Sequence, residues 1–176
     1  MSNIMKDLML DLETLGTSNN ALIVQVGACY FDRDNGEIFW DKFSMNVQIQ
    51  DGLNNGFEVD AGAIKFWLEH TPTFLKEAVP VQTMLGKLRE FISKKAIIWS
   101  HATFDAVVLQ NAYNKFGEKA PFSYRNVRDI RTLVDLARIK YKKKEGDPKT
   151  HDGLEDCIYQ VKYCCECFKK LRGENV

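Results

Sequence analysis

Asp11 and Glu13 sit in or at the end of the apolar run KDLMLDLE (6–13). A period of two places both side chains on one face of a strand. Two neighbouring carboxylates repel, and ionised groups in a buried strand are costly. A divalent cation would offset them, because hard cations prefer carboxylate oxygens. The plainer alternative is a strand that ends at Leu10, with both acids solvated at its tip.

SHATFD (100–105) supplies a third acid. Asp105 follows the short apolar strand AIIWS (96–100) and falls in the first turn of a helix that Thr103 can cap. An Asp there also simply complements the helix dipole, worth ~0.3–1 kcal/mol. HDGLED (151–156) adds a histidine and a fourth acid. Asp152 and Glu155 fit a capping box as N-cap and N3. That assignment puts His151 and Asp156 at the two positions that meet in a hydrophobic staple. Here both are ionisable. The cap accounts for Asp152 and Glu155, and leaves His151 and Asp156 as a close pair that a solvated helix start would also accommodate. His101 and Asp129 read as bystanders, the latter as the ion-pair partner of a nearby Arg in RDIRT.

The positioning elements are legible in outline. ALIVQVGACYF (21–31) reads as a second strand, Asn35-Gly36 as a type I′ turn, and EIFWDKFSMNV (37–47) as a third strand running back antiparallel. The period then changes. Helices are expected over 61–70, 81–94, 104–115, around Ile130–Ala137 and over 153–171, with the strand 96–100 among them. Strands first, then helices alternating with a strand or two, predict an α/β domain with a mixed sheet under helices, spanning residues 1–176.

Lys+Arg and Asp+Glu are equal at 24 each, which excludes a bulk basic coat for nucleic acid. Charge is locally uneven in KYKKK (140–144), where Lys142 and Lys143 could hold a phosphate backbone and Tyr141 could stack on a base. A solvated charged turn explains the block as readily. The five cysteines are odd in number and no secretory signal is read, so reduced thiols are expected. Cys164 and Cys167 form a C-x-x-C with no second ligand pair. Leu154, Ile158, Val161, Cys165 and Phe168 form one helical stripe, with Cys157, Cys164 and Leu171 beside it, as packing would have it. No apolar run is long enough to span a bilayer. A cytoplasmic protein is expected, in host cytoplasm if phage-encoded.

In order along the chain, LDLETLG (10–16), SHATFD and HDGLED resemble the three motifs of the DEDD superfamily of 3′–5′ exonucleases, in its histidine-bearing branch. FWLEHTP, IIWSHATFD and RDIRTL are most similar to the phage exonuclease A type and related small bacterial exoribonucleases. The resemblance implies a ribonuclease-H-like, five-stranded mixed sheet with helices on both faces. It implies two divalent ions, Mg²⁺ or Mn²⁺, held by Asp11, Glu13, Asp105 and Asp156, with His151 as general base. It implies that Thr14 and Leu15 seat the terminal nucleotide and that Phe104 stacks near a base. The expected reaction is 3′–5′ hydrolysis of single-stranded nucleic acid to nucleoside 5′-monophosphates, DNA favoured and RNA the alternative. The expected state is a monomer or small homo-oligomer acting on 3′ ends, with no membrane. No motif residue is missing, so a non-catalytic end-binding domain is the remote alternative.

Overall fold

The structure is a computed structural model that describes residues 7–140 and 151–174. Tyr141, Lys142 and Lys143, the expected phosphate patch, lie outside the described residues. No helix among the described residues is long and apolar enough to cross a membrane.

The strand β1 (Asp7–Thr14) lies inside the sheet and is buried almost throughout. Leu8, Leu10 and Leu12 join one apolar cluster and Met9 joins another, the alternation of a strand covered on both faces. β2 (Ile23–Phe31) pairs antiparallel with β1, and β3 (Ile38–Val47) antiparallel with β2. On the other side of β1, β5 (Ile97–Ser100) and then β6 (Val127–Asp129) pair parallel. β1, β2, β3 and β5 fall where the sequence reading puts strands, and β6, not located there, brings the count to the five that the resemblance implies. A sixth, β4 (Ala78–Val79), is only two residues long and adds parallel to the outer edge of β3. The full order is β4-β3-β2-β1-β5-β6. Neither β4 nor β6 is long enough to show a period of its own.

The β2–β3 connection is wider than the expected type I′ turn. That turn needs positive φ at both central residues. Only Gly36 has it, at 80°. Gly36 N–H instead donates to the Asp32 carbonyl at 2.8 Å, and Asp32 N–H to Glu37 at 2.9 Å. Asp32 and Asn35 side chains accept the N–H groups of Asp34 and Glu37, at 2.8 and 2.7 Å. Two Asx-type bonds therefore stabilise the broader loop.

The helices α2 (Ala61–Leu68), α3 (Val81–Phe91) and α4 (Asp105–Lys115) contribute Trp67, Leu85, Leu88, Val108 and Leu109 to the larger core, with Leu8, Leu10 and Leu12. A short α1 (Ile49–Asn54), too brief to show a helical period and so not foreseen, sits against Leu22 through Gly52. The opposite face is covered by α5 (Ile130–Ala137) and α6 (Gly153–Leu171). All five cysteines are buried free thiols on that face. Burial raises Cys29, Cys157, Cys164, Cys165 and Cys167 above the ordinary thiol value, so they remain protonated packing groups.

Candidate active site

Asp11 and Glu13 lie in the C-terminal half of β1, opposite Gly27 and Gln25 of β2. Gly27 is what lets α6 approach. A Cβ there would lie 2.1 Å from the backbone carbon of Gly153. Gln25 then clamps the helix start. Its Oε1 accepts Gly153 N–H at 2.7 Å, and its Nε2 donates to Asp152 at 3.1 Å. Thr73 Oγ1 donates to the same Asp152 oxygen at 3.0 Å. The other oxygen caps α6, accepting Leu154 and Glu155 N–H at 3.2 Å each. Such a cap stabilises by roughly 0.5–2 kcal/mol. Asp156, one turn into α6, is thereby held against Glu13, to which it is hydrogen-bonded.

Asp105 arrives from the end of β5, whose parallel pairing aligns it with β1. Thr103 is not the helix cap. The N-cap residue is Phe104, with no side-chain cap bond. The tight turn holds Phe104 N–H on the His101 carbonyl at 2.7 Å, and Asp105 reaches back to accept His101 N–H at 2.8 Å. The Leu12 backbone N–H also lies close enough to Asp105 to favour its charged form. That contact ties the second motif to the first.

The acids are buried: Asp11 8%, Glu13 8% and Asp105 2% exposed. Burial, followed by repulsion from Asp105 and Glu13, raises Asp11 well above the usual carboxylate value. Burial, then repulsion from Asp156, Asp152 and Asp105, pushes Glu13 up to about 8. Burial raises Asp105 to about 7 against the opposing effect of the His101 and Leu12 N–H groups. Gln160 Nε2 donates to Asp11 at 2.7 Å, while its own Oε1 is buried without a hydrogen-bond partner.

Ligand atoms of Asp11, His101 and Asp105 lie within 4.8 Å of one another, and so do those of Glu13, His151 and Asp156. Oxygen-rich, buried groups that ionise only at a cost fit hard divalent cations. His101, expected to be a bystander, has Nδ1 3.9 Å from Asp105. Burial, with help from Arg131 and against Asp129, lowers its pKa. Asp129 is the N-cap of α5 and not the ion-pair partner expected. It accepts Thr132 N–H at 2.9 Å, Thr132 Oγ1 at 2.7 Å and Ala102 N–H at 3.2 Å. Its carboxylate thereby buttresses the turn that carries His101 and Asp105.

Beside the acids opens a cavity of about 390 Å³, within the range of small-ligand sites. Glu13, Thr14, Phe66, Trp67, Phe104 and His151 line it. Thr14 and Phe104 are thus both on the cavity wall. Leu15 is not on the cavity wall. Its side chain joins the larger core, and its N–H and carbonyl bond Leu22 and Asp60, at 2.9 Å each. Sequence reasoning missed Phe66 and His70. These rings stack with centroids 4.1 Å apart, and His70 Nδ1 lies 2.6 Å from the Phe66 carbonyl oxygen. His151 packs edge-on against both, at 4.7 and 4.9 Å. The i,i+4 spacing of Phe66 and His70 in FWLEH was the available signal.

A family model described as the 3′-5′ exoribonuclease Rv2179c-like domain matches residues 6–168. No curated protein matches the chain. Among solved structures, it is similar to Escherichia coli Exonuclease I in complex with a dA16 oligonucleotide, with TM-score 0.70 and 15% identity over 96% of this chain and 41% of that one. It is similar to the zinc-bound E. coli ExoI–ssDNA complex, with TM-score 0.68 and 15% identity over 96% and 41%. It is also similar to a moderately thermophilic Exonuclease I from Methylocaldum szegediense, with TM-score 0.68 and 13% identity over 96% and 41%. The chain therefore spans about two fifths of the length of these structures, and the likeness carries the fold.

Proposed function

Since the chain belongs to the Rv2179c-like 3′-5′ exoribonuclease domain family, we propose that it removes nucleotides from the 3′ end of a single strand by metal-dependent hydrolysis. The observation that carries this reading is the convergence of Asp11, Glu13, Asp105 and Asp156, mostly buried, beside a nucleotide-sized cavity with His151 in its wall.

Asp11, Glu13, Asp105 and Asp156 would hold two divalent ions, Mg²⁺ or Mn²⁺, with His101 available to the Asp11–Asp105 pair. Bound there, the ions would supply charge neutralisation at the phosphate and a more acidic water. The chain does the rest. Gln160 fixes Asp11, and the His101 and Leu12 amides fix Asp105, so neither carboxylate has to reorient. Phe104 and Phe66, both in the cavity wall, offer rings to the terminal base. A ring nitrogen of His151 takes the proton of the attacking water. The new P–O bond forms as the P–O3′ bond breaks. A nucleoside 5′-monophosphate leaves, and the shortened strand keeps its 3′ oxygen, protonated from solvent.

RNA is the first substrate to test, because the family description names an exoribonuclease. DNA is the second reading, favoured by the fold shared with the dA16-bound Exonuclease I. The kinship to the phage type rests on the motif phrases alone. The test gives 5′-labelled single-stranded RNA and DNA of one sequence to the protein with Mg²⁺, Mn²⁺ or EDTA. A ladder shortening from the 3′ end is expected with metal. Absence of metal-dependent product on either strand would overturn the assignment.

A further inference from the structure

A second cavity, of about 380 Å³, lies on the other side of the turn that carries Asp105. Ala102, Ala106, Val107, Phe122, Tyr124 and Val127 line it. The two hollows are separated by little more than residues 102–106: Phe104 faces the first, and Ala102 and Ala106 face the second. A strand whose scissile phosphate sits over Asp105 therefore has a pocket on each side. The first holds the terminal nucleotide in the reading above. Nothing so far uses the second.

Its surroundings suit a polyanion. Arg125, next to Tyr124, is exposed, as are Arg128 of β6 and Arg131 of α5. Residues 124–131 carry three Arg and one Asp, a local net charge of 3 − 1 = +2 in a chain with net charge +0. The one acid, Asp129, is engaged by Thr132 and Ala102. Arg131 is close enough for its charge to be felt at both His101 and Asp105, so the basic surface reaches the site. Tyr124 is 78% exposed, so its ring face is open to a stacking base. Arg125 Nε donates to its hydroxyl at 3.2 Å, with the guanidinium 5.7 Å from the ring centroid. Arg128 Nη1 donates to the carbonyls of Arg125 and Val127, at 2.7 and 2.9 Å, which holds it along the edge strand β6. A flat ring beside fixed guanidinium groups is the combination that binds single strands, through stacking and phosphate contacts.

We propose that this hollow is the subsite for the nucleotides on the 5′ side of the scissile bond, with Tyr124 stacking on a base and Arg125 and Arg128 holding phosphates. The proposal rests on the exonuclease reading, so its test must separate the two. The substrates are the p-nitrophenyl ester of a nucleoside 5′-monophosphate, which fills the terminal pocket only, and single strands of two, four and twelve nucleotides. Metal-dependent turnover of these by the unmodified protein checks the exonuclease reading. A protein inert on all of them overturns that reading. The variants check the subsite. Tyr124→Ala should weaken twelve-nucleotide binding by about 5- to 150-fold, the usual range for one stacked base, while Tyr124→Phe keeps wild-type affinity. Arg125→Gln with Arg128→Gln should lower the slope of log affinity against log salt by about 1.4, or ~0.7 per phosphate on a single strand. Both losses should grow with strand length and be smallest on the ester. The subsite is refuted if twelve-nucleotide affinity and its salt slope stay at wild-type values. It is equally refuted if the loss on the ester matches that on the longest strand, which would mark a general defect or a surface meant for another partner.

Discussion

The metal-free protein should lose stability as pH rises from about 5 to 8, and a divalent cation should restore it. Glu13 carries the larger single share of the effect that can be worked, with Asp105, raised from 3.8 to about 7, close behind. The Glu13 carboxyl is raised from 4.5 to about 8 in the folded protein. The folded state therefore holds this proton more tightly than the unfolded chain does. Stability falls wherever the folded state binds more protons, so the loss begins near pH 4.5 and levels off above about 8. A shift of 8 − 4.5 = 3.5 units, at ~1.36 kcal/mol each, corresponds to about 5 kcal/mol. That is a large part of the ~5–15 kcal/mol of a typical domain. For a chain of this size it corresponds to roughly 10–20 °C in Tm. A cation at ~1,000 times its Kd returns about 4 kcal/mol. The assay is urea unfolding at pH 5, 6, 7 and 8.5, in EDTA and in Mg²⁺ or Mn²⁺, for the natural protein and for Glu13→Gln. The Gln variant cannot ionise at this position, so the difference between the two proteins reports the Glu13 carboxylate together with its repulsion of the neighbouring acids. In EDTA that difference should grow with pH in favour of Gln. In metal it should shrink or reverse. A difference that stays flat from pH 5 to 8.5 would falsify the assignment of Glu13 as a buried, uncompensated acid. An equal metal-induced gain in both proteins would remove it from the ligand set.

Replacing Asp11 by Asn should cut turnover about a thousandfold or more, the scale of several kcal/mol of transition-state stabilisation. Oligonucleotide binding measured by anisotropy should survive, and undiminished cleavage would sink the metal assignment. His151→Ala should lower kcat by about 10²–10⁴-fold, as loss of a general base does. His70→Ala should lower kcat by a smaller factor with KM little changed, whereas His70→Phe, which keeps the ring stacked on Phe66, should recover most of it; equal losses in both would mean the ring does not orient His151. Gly27→Ala should destabilise by about 3 kcal/mol, the upper end for overpacking, because its Cβ meets the Gly153 backbone, which cannot rotate away as a side chain could. A urea midpoint at the wild-type value would show that α6 can shift at no cost.

Residues whose chemistry conflicts with their local element could be found from the linear chain, and residues whose role is to leave room could not. Asp11, Glu13, His151 and Asp156 stood out because strand burial and helix capping leave them unexplained. The conflict is local, so it is visible. Asp152 as the cap of α6 followed from the same local rules. Gly27 looked like any glycine in an apolar strand, since its partner Gly153 is more than a hundred residues away and only the fold brings them together. Gln25 was equally silent, although it holds Asp152 and Gly153 at once. Thr103 was mistaken for a cap because cap propensity does not register a carboxylate that turns back on its own helix start. Leu15 was misplaced for a related reason: following a motif in sequence does not put a side chain on the motif's face. The site thus has two layers of different legibility. The groups proposed to do chemistry, Asp105 excepted, break local rules and can be read. The groups that aim them obey local rules and act only through long-range contact. If that division holds here, substitutions in the second layer, at Gln25, Gly27 or His70, should disturb catalysis while leaving all four carboxylates in the chain.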